Sequence, residues 1–255
     1  MKMEIIDDVV ESVATWNANA GNIPSADPDE RSKQLHGQLK LVHEELVELR
    51  DAIAVDDDVE TIDAVCDINV VAAFAAVLMN VPNASDDELY AYDITDVGVD
   101  TLFVSKAMLP TTFKDERIDE IVSGTIYMLE MILTDEDSFI KEWSLRYFEQ
   151  LYTTLYGIGQ YLFLTGQRCY GVDVMTDSMY AVLETNSAKF LTVDVANEKL
   201  EETIKSYEGR YSDIVVAETP LGFACYRCDN GNGKILKPYD WVAPDIKSIL
   251  SSHVD

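Results

Sequence analysis

Six carboxylates in two clusters are the residues of this chain best suited to chemistry. Glu44, Glu45 and Glu48 lie in His43-Glu44-Glu45-Leu46-Val47-Glu48, and Glu60, Asp63 and Asp67 in Glu60-Thr61-Ile62-Asp63-Ala64-Val65-Cys66-Asp67. On a helix, Glu45 and Glu48 stand one turn apart on one face. Glu60, Asp63 and Asp67 share an arc of about 60° on a second helix. Like charges at contact distance cost several kcal/mol unless protons or a cation offset them. Hard oxygen donors of this kind suit Mg²⁺, with Mn²⁺ as the alternative, and so suggest phosphate chemistry. The competing reading is a solvated acidic helix face, ordinary in a chain this acidic. The spacing, together with the apolar helices around it, favours the metal.

Those acids need helices to position them. Residues 3–18 read as an amphipathic helix (Ile5, Ile6, Val9, Val10, Val13, Trp16) ended by Gly21 and a Pro/Asp-rich loop through Pro28. A long helix follows, whose buried stripe of Leu35, Leu39, Val42, Leu46, Leu49 and Ile53 turns Glu45 and Glu48 sideways toward its neighbour. That neighbour, about 59–79, is very apolar after Asp67 and must be buried. Residues 86–115 are less regular and stop at Pro110; helices are expected over about 116–134, 138–166 and 174–190. From Ile214 to Pro238 the pattern becomes that of a small β-meander with a Gly/Asn turn.

The expected fold is therefore mainly α, a helical bundle with a small C-terminal β-meander. Residues 1–110 form an N-terminal helical half carrying the acidic motif, 111–205 a second helical half, and 206–255 a β extension. The spacing of Glu48 to Asp67 recurs between Glu130 and Glu149, which suggests a degenerate internal duplication. In that alignment Glu45 meets Tyr127 and Asp63 meets Leu145, so the second copy has lost most of its acids. The chain then reads as a fused pseudo-dimer with one carboxylate site, or otherwise as a homodimer.

Bulk composition narrows the partners. The 255 residues are 47% apolar, enough for a sizeable core, and 19 basic against 47 acidic residues give a net charge of −28. Such a field repels nucleic acid and anionic membranes, whereas a small anionic ligand needs only local relief from a bound cation and a few Lys or Asn donors. A very acidic protein can also imitate DNA and occupy another protein's DNA site. No run of eighteen apolar residues and no apolar stretch near Met1 is present, so neither a membrane span nor a signal peptide is expected and a cytoplasmic location follows. Cys225-Tyr226-Arg227-Cys228 is the one C-x-x-C. With Cys66 and Cys169 isolated and His36, His43 and His253 scattered, it reads as reduced hairpin residues in preference to a zinc or redox site.

Glu44-Glu45-Leu46-Val47-Glu48 followed by Asp63-Ala64-Val65-Cys66-Asp67 resembles the E-E-x-x-E and acidic-x-x-(x)-D signature of the all-α nucleoside triphosphate pyrophosphohydrolases. These include MazG-like, dimeric dUTPase-like and phosphoribosyl-ATP pyrophosphohydrolase-like proteins; the form here is most similar to MazG-like members common in bacteriophages, which would place it in a host cytoplasm. Trp16-Asn17-Ala18-Asn19-Ala20-Gly21 is similar to the stretch before their first motif helix. Gly171-Val172-Asp173, the segment Val182 to Lys189, and Gly233-Lys234-Ile235-Leu236-Lys237-Pro238 with Pro244-Asp245-Ile246 look like their later segments. Ala64 departs from the Glu that many members place before the final Asp, and Val70 and Ala73 from Tyr.

The resemblance implies hydrolysis of a (deoxy)nucleoside triphosphate to the monophosphate and pyrophosphate, in nucleotide-pool control. Glu45, Glu48, Asp63 and Asp67 would hold Mg²⁺, and Glu44 or Glu60 would orient or deprotonate a water. Asn186 and Lys189 suit sugar or base edges and phosphate, and Asn17 suits the base; the competing role of each is a helix-end cap or charge. Trp16, Trp143, Tyr147, Tyr152 and Tyr156 read as core before stacking platform, and Lys234 and Lys237 as turn decoration. Two alternatives stand beside the enzyme: an inactive relative that retains nucleotide, and an acidic DNA-mimic or inhibitory partner protein. If the first half alone keeps a metal site, Glu149→Gln should leave pyrophosphate release near wild type while Asp67→Asn abolishes it. Equal losses in a pyrophosphate assay would contradict a single site per chain.

Overall fold

The computed structural model describes residues 4–79, 109–134, 145–219, 222–228 and 235–253, without the side chains of 4–8, 19, 145–150, 152 and 153. The segment 86–108, the Gly/Asn turn, Lys234 and Trp143, with the side chains of Tyr147, Glu149 and Tyr152, lie outside the described residues. Helices α1 (Glu4–Asn19), α2 (Pro28–Ala54), α3 (Asp58–Met79), α4 (Glu116–Leu133), α5 (Leu145–Cys169) and α6 (Val172–Ser187) form the bundle. A smaller unit follows: β1 (Leu191–Thr192), α7 (Val193–Glu198), α8 (Leu200–Ser206), β2 (Ile214–Glu218), β3 (Phe223–Cys228) and β4 (Ile235–Leu236), then α9 (Ile246–Ser252). The fold is mainly α with a small antiparallel sheet near its end, as the periodicities lead one to expect.

The α2–α3 hairpin organises the bundle. The Asp27 side chain accepts hydrogen bonds from the Asp29 and Glu30 N–H groups, and Pro28 supplies the preset φ of a first helical turn. At the other end Asp56 takes a left-handed φ of 60°, which reverses the chain. Asp57 then caps α3 by accepting from the Val59 and Glu60 N–H groups. Because the loop is so short, residues equidistant from Asp56 come level on the two antiparallel helices. Glu45 thus stands level with Asp67, and Glu48 within about one residue of Asp63.

Helix α3 is the most enclosed element, packed by α1, α2, α5, α6 and α9. It is long and apolar enough to cross a membrane by length and composition, but 67% of that apolar window is buried inside the protein. Polar ties hold it: Gln38 of α2 donates to Val71 O at 2.8 Å, Tyr170 donates to Asp58 at 2.8 Å, and the Asn69 amide donates to Val65 O at 2.8 Å and to Gly159 O at 3.0 Å. The Asn69–Gly159 tie is close-fitting, since a Cβ at position 159 would sit 3.2 Å from Asn69 Oδ1. Helix α4 lies against α2, and α5 against α3.

Strand β3 is the centre of the sheet. It pairs along its length with β2, while β1 and β4 share its other edge, opposite residues 223–224 and 226–227 respectively. Tyr226, fully buried, donates to Ala196 O at 2.8 Å and anchors a second small core of Ala196, Ile214, Ala224, Cys228 and Leu236. That core draws in residues from Leu191 onward, ahead of position 206, because two-residue strands and one-turn helices leave no periodic signal. Helix α9 also escapes the sequence reading for its brevity; it returns to the bundle and buries Ile246 there. Cys225 and Cys228 are both buried, and three residues along a strand separates their Cα atoms by roughly 10 Å on opposite faces, too far for a disulfide. Cys228 instead contacts Ser212 O at 3.3 Å.

Gly159→Leu should destabilise the protein by about 1–3 kcal/mol through overpacking at the α3–α5 crossing. Gly124→Ala, in open space on α4, should add up to about 1 kcal/mol through helix propensity. Denaturant unfolding of both variants checks this, and a Gly159→Leu protein as stable as wild type would refute the close approach.

Candidate active site

Leu46 and Leu49, both fully buried, fix the rotation of α2, and Ile62, Val65, Cys66 and Ile68 do the same for α3. Glu45, Asp63 and Asp67 are thereby carried part-way into the apolar seam, while Glu44, Glu48 and Glu60 stay exposed at its rim. Burial, then the Asp67, Glu48, Glu44 and Asp63 charges, push the Glu45 carboxyl up to about 8. Burial, then Asp67 and Glu60, push Asp63 up to about 7, against the opposing pull of Lys237. Asp67 rises to about 6, again through burial first, with Lys189 and Lys237 both holding it down. The six acids named from sequence therefore form one electrostatically linked cluster.

The cluster is not a closed cage. Among the described residues no three His, Cys, Asp or Glu side chains converge tightly enough to hold a metal ion. The two observations agree physically: buried like charges hold one another apart, and a bound cation would draw them in. One detail marks the gap they leave. Asp63 Oδ1 is buried with no hydrogen-bond partner among the described residues, an acceptor facing neither water nor donor.

The C-terminal end of α6 meets this cluster. Lys189 Nζ donates to Asn186 Oδ1 at 2.5 Å and lies 5.8 Å from the centroid of the Trp16 ring, whose indole N–H donates to Asn186 O at 2.9 Å. The charge of the same lysine, two residues past α6, lowers the proton affinity of Asp67 on α3 within one chain. Asn17 has a different occupation. Its amide is buried, donates to Val13 O at 2.9 Å and accepts from Asn22 at 3.3 Å, closing the end of α1. Arg227 of β3 braces that turn by donating to Ala20 O.

An open cleft of about 550 Å³ adjoins Trp16, lined also by Glu11, Ser12, Thr15, Phe190 and Phe223. A smaller recess of about 100 Å³ continues inward past Asn186 and Leu183 to Val70, one turn beyond Asp67 on α3. Trp16 packs edge-on to Phe190 at 5.3 Å, and so walls the cleft rather than filling the core. Tyr156 is partly buried against the main core. The sequence reading took Lys237 for turn decoration; its one further signal was its place in the Gly233–Pro238 segment.

Residues 22–91 match the family model for phosphoribosyl-ATP pyrophosphohydrolase, a member of the all-α nucleoside triphosphate pyrophosphohydrolase superfamily. The matched stretch contains the whole α2–α3 hairpin and all six acids. It supports a pyrophosphohydrolase-type activity on nucleotides in general. No curated protein and no solved structure matches the chain.

The raised carboxyls make stability depend on pH. Unfolded carboxylates titrate near about 4, so between about pH 4 and 8 the folded, metal-free chain binds more protons than the unfolded one. The contribution is complete below the unfolded value and is lost as pH rises through the folded values of about 6, 7 and 8. The melting temperature of chelator-treated protein should therefore fall across that window, and Glu45→Gln should flatten the fall. Calorimetry of the pair settles it: a wild-type-minus-variant difference that does not change with pH would refute the buried cluster.

Proposed function

We propose that this chain hydrolyses a (deoxy)nucleoside triphosphate to the monophosphate and pyrophosphate, in control of the nucleotide pool. The observation that carries this reading is the gathering of Glu45, Glu48, Asp63 and Asp67 across one hairpin, with the lysine that follows α6 acting on Asp67. The donor set fits Mg²⁺, or Mn²⁺ in its place: four carboxylates, three of them partly buried at the cost of raised proton affinity, and one orphaned oxygen on Asp63. When bound, the cation would neutralise triphosphate charge and lower the pKa of a nearby water.

The chain's own residues do the rest. Glu44 or Glu60, on the exposed rim, orients a water and takes its proton as the oxygen attacks the α-phosphorus. The bridging P–O bond to the β-phosphorus breaks, and pyrophosphate leaves with the bonding electrons. Lys189 holds phosphate, with its ammonium aimed by Asn186, and the Trp16 cleft lies beside it for the nucleoside. Asn17 is assigned to holding the turn after α1 rather than to the substrate. Since the Lys189 charge acts on Asp67 within one chain, this reading asks for no residue from a second copy.

Asp67→Asn should remove pyrophosphate release from every triphosphate while keeping the helical circular dichroism. Lys189→Ala should chiefly raise KM, by the roughly 1.5–3 kcal/mol of a charge-assisted hydrogen bond. Mixing Lys189→Ala with Asp67→Ala protein should restore nothing. Near wild-type release by Asp67→Asn would end this reading, and recovery on mixing would move the site to a dimer interface.

A further inference from the structure

The loop after β4 is held in a way that a mere turn does not require. Tyr207 clasps the main chain of Lys237, its hydroxyl donating to the Lys237 carbonyl at 3.2 Å and accepting from the Lys237 N–H at 3.1 Å. Asp240 pairs with Lys199 at 2.6 Å. The Trp241 indole N–H donates to Thr185 O at 2.8 Å, which ties the loop to the end of α6 beside Asn186 and Lys189. These contacts join the sheet unit to the bundle at the acid cluster.

What they position is an ammonium. Lys237 Nζ rests 3.9 Å from the centroid of the Trp241 ring. Its charge reaches both Asp63 and Asp67, yet no carboxylate lies within ion-pair distance of it among the described residues. An ammonium seated on an aromatic face keeps N–H donors on its open side available for a further acceptor. In a chain of net charge −28, two lysines from separate elements, Lys189 after α6 and Lys237 after β4, flank the same acids. The acids would ligate a divalent cation without help from a lysine. A second lysine is useful there for an anion of high charge density that lies between cation and ammonium.

We infer that Lys237 is a phosphate-binding and specificity residue, holding the pyrophosphate end of the substrate while Lys189 holds it from the α6 side. This rests on the triphosphate reading above. It gives the C-terminal unit a role in recognition: a nucleoside monophosphate, lacking that end, leaves Lys237 without a ligand, and inorganic pyrophosphate is the smallest molecule that engages it.

The test is calorimetric titration of inorganic pyrophosphate into the full chain with Mg²⁺ present, using Lys237→Met, which keeps the stem on Trp241, and Lys237→Arg. Lys237→Met should weaken pyrophosphate binding at least tenfold, and Lys237→Arg should recover most of it. Mg²⁺ binding without pyrophosphate should be unchanged or tighter in Lys237→Met, because a nearby cation has been removed. Equal pyrophosphate affinity in Lys237→Met and wild type, no pyrophosphate binding by wild type, or parallel losses of Mg²⁺ and pyrophosphate binding would each overturn the inference. Turnover is a separate axis: a wild-type chain that binds pyrophosphate through Lys237 but releases none from any triphosphate keeps this inference and loses the enzymatic one.

Discussion

Repulsion among carboxylates carried into an apolar seam is the constraint around which the molecule is arranged. Glu45, Asp63 and Asp67 are pulled inward by the Leu46, Leu49, Ile62 and Ile68 packing that rotates α2 and α3. They cannot relax outward without breaking that packing. The short turn at Asp56 sets which acids are level, the Asp57 cap starts α3 at once, and Asn69 with Gly159 fixes α3 from behind. Each device costs little alone. Together they hold an arrangement that charge by itself would scatter, and burial among like charges pushes the Glu45 carboxyl up to about 8.

The rest of the chain supplies what the hairpin lacks. Helix α6 ends where Lys189 can act on Asp67, and the sheet unit brings Lys237 to the same carboxylates. Trp16 and Trp241 form a matched pair of supports: each donates its indole N–H to a carbonyl at the end of α6, Asn186 O and Thr185 O, and each underlies one of the two lysines. Strand β3 adds Arg227, which ties the sheet to the turn after α1. Lys189 and Lys237 thus bring positive charge beside the acids and the aromatic cleft of a strongly negative chain.

The acid cluster was legible because helical periodicity is. A long helix with a Leu stripe and a second helix with acids in one arc specify where Glu45, Glu48, Asp63 and Asp67 point, and the family match over 22–91 falls on the same hairpin. Lys189 and Asn186 were legible as a helix end, though not the fact that they meet α3 in the same chain. Lys237 was illegible, since it follows a two-residue strand and owes its position to Tyr207, Trp241 and α6, contacts between residues far apart in sequence. Asn17 was ambiguous for a different reason: an amide near a helix end looks the same whether it caps or recognises, and the contacts it makes here are those of a cap. Strand β1, α7 and α9 were too short for any period to show.

The most direct measurement of the central claim is the anomalous scattering of Mn²⁺ in crystals of the protein. The account predicts a peak between α2 and α3, with Glu45, Glu48, Asp63 and Asp67 turned onto it and Asp63 Oδ1 no longer unpartnered. Crystals soaked in Mn²⁺ that show no density there, or a cation held only by surface acids elsewhere, would contradict it.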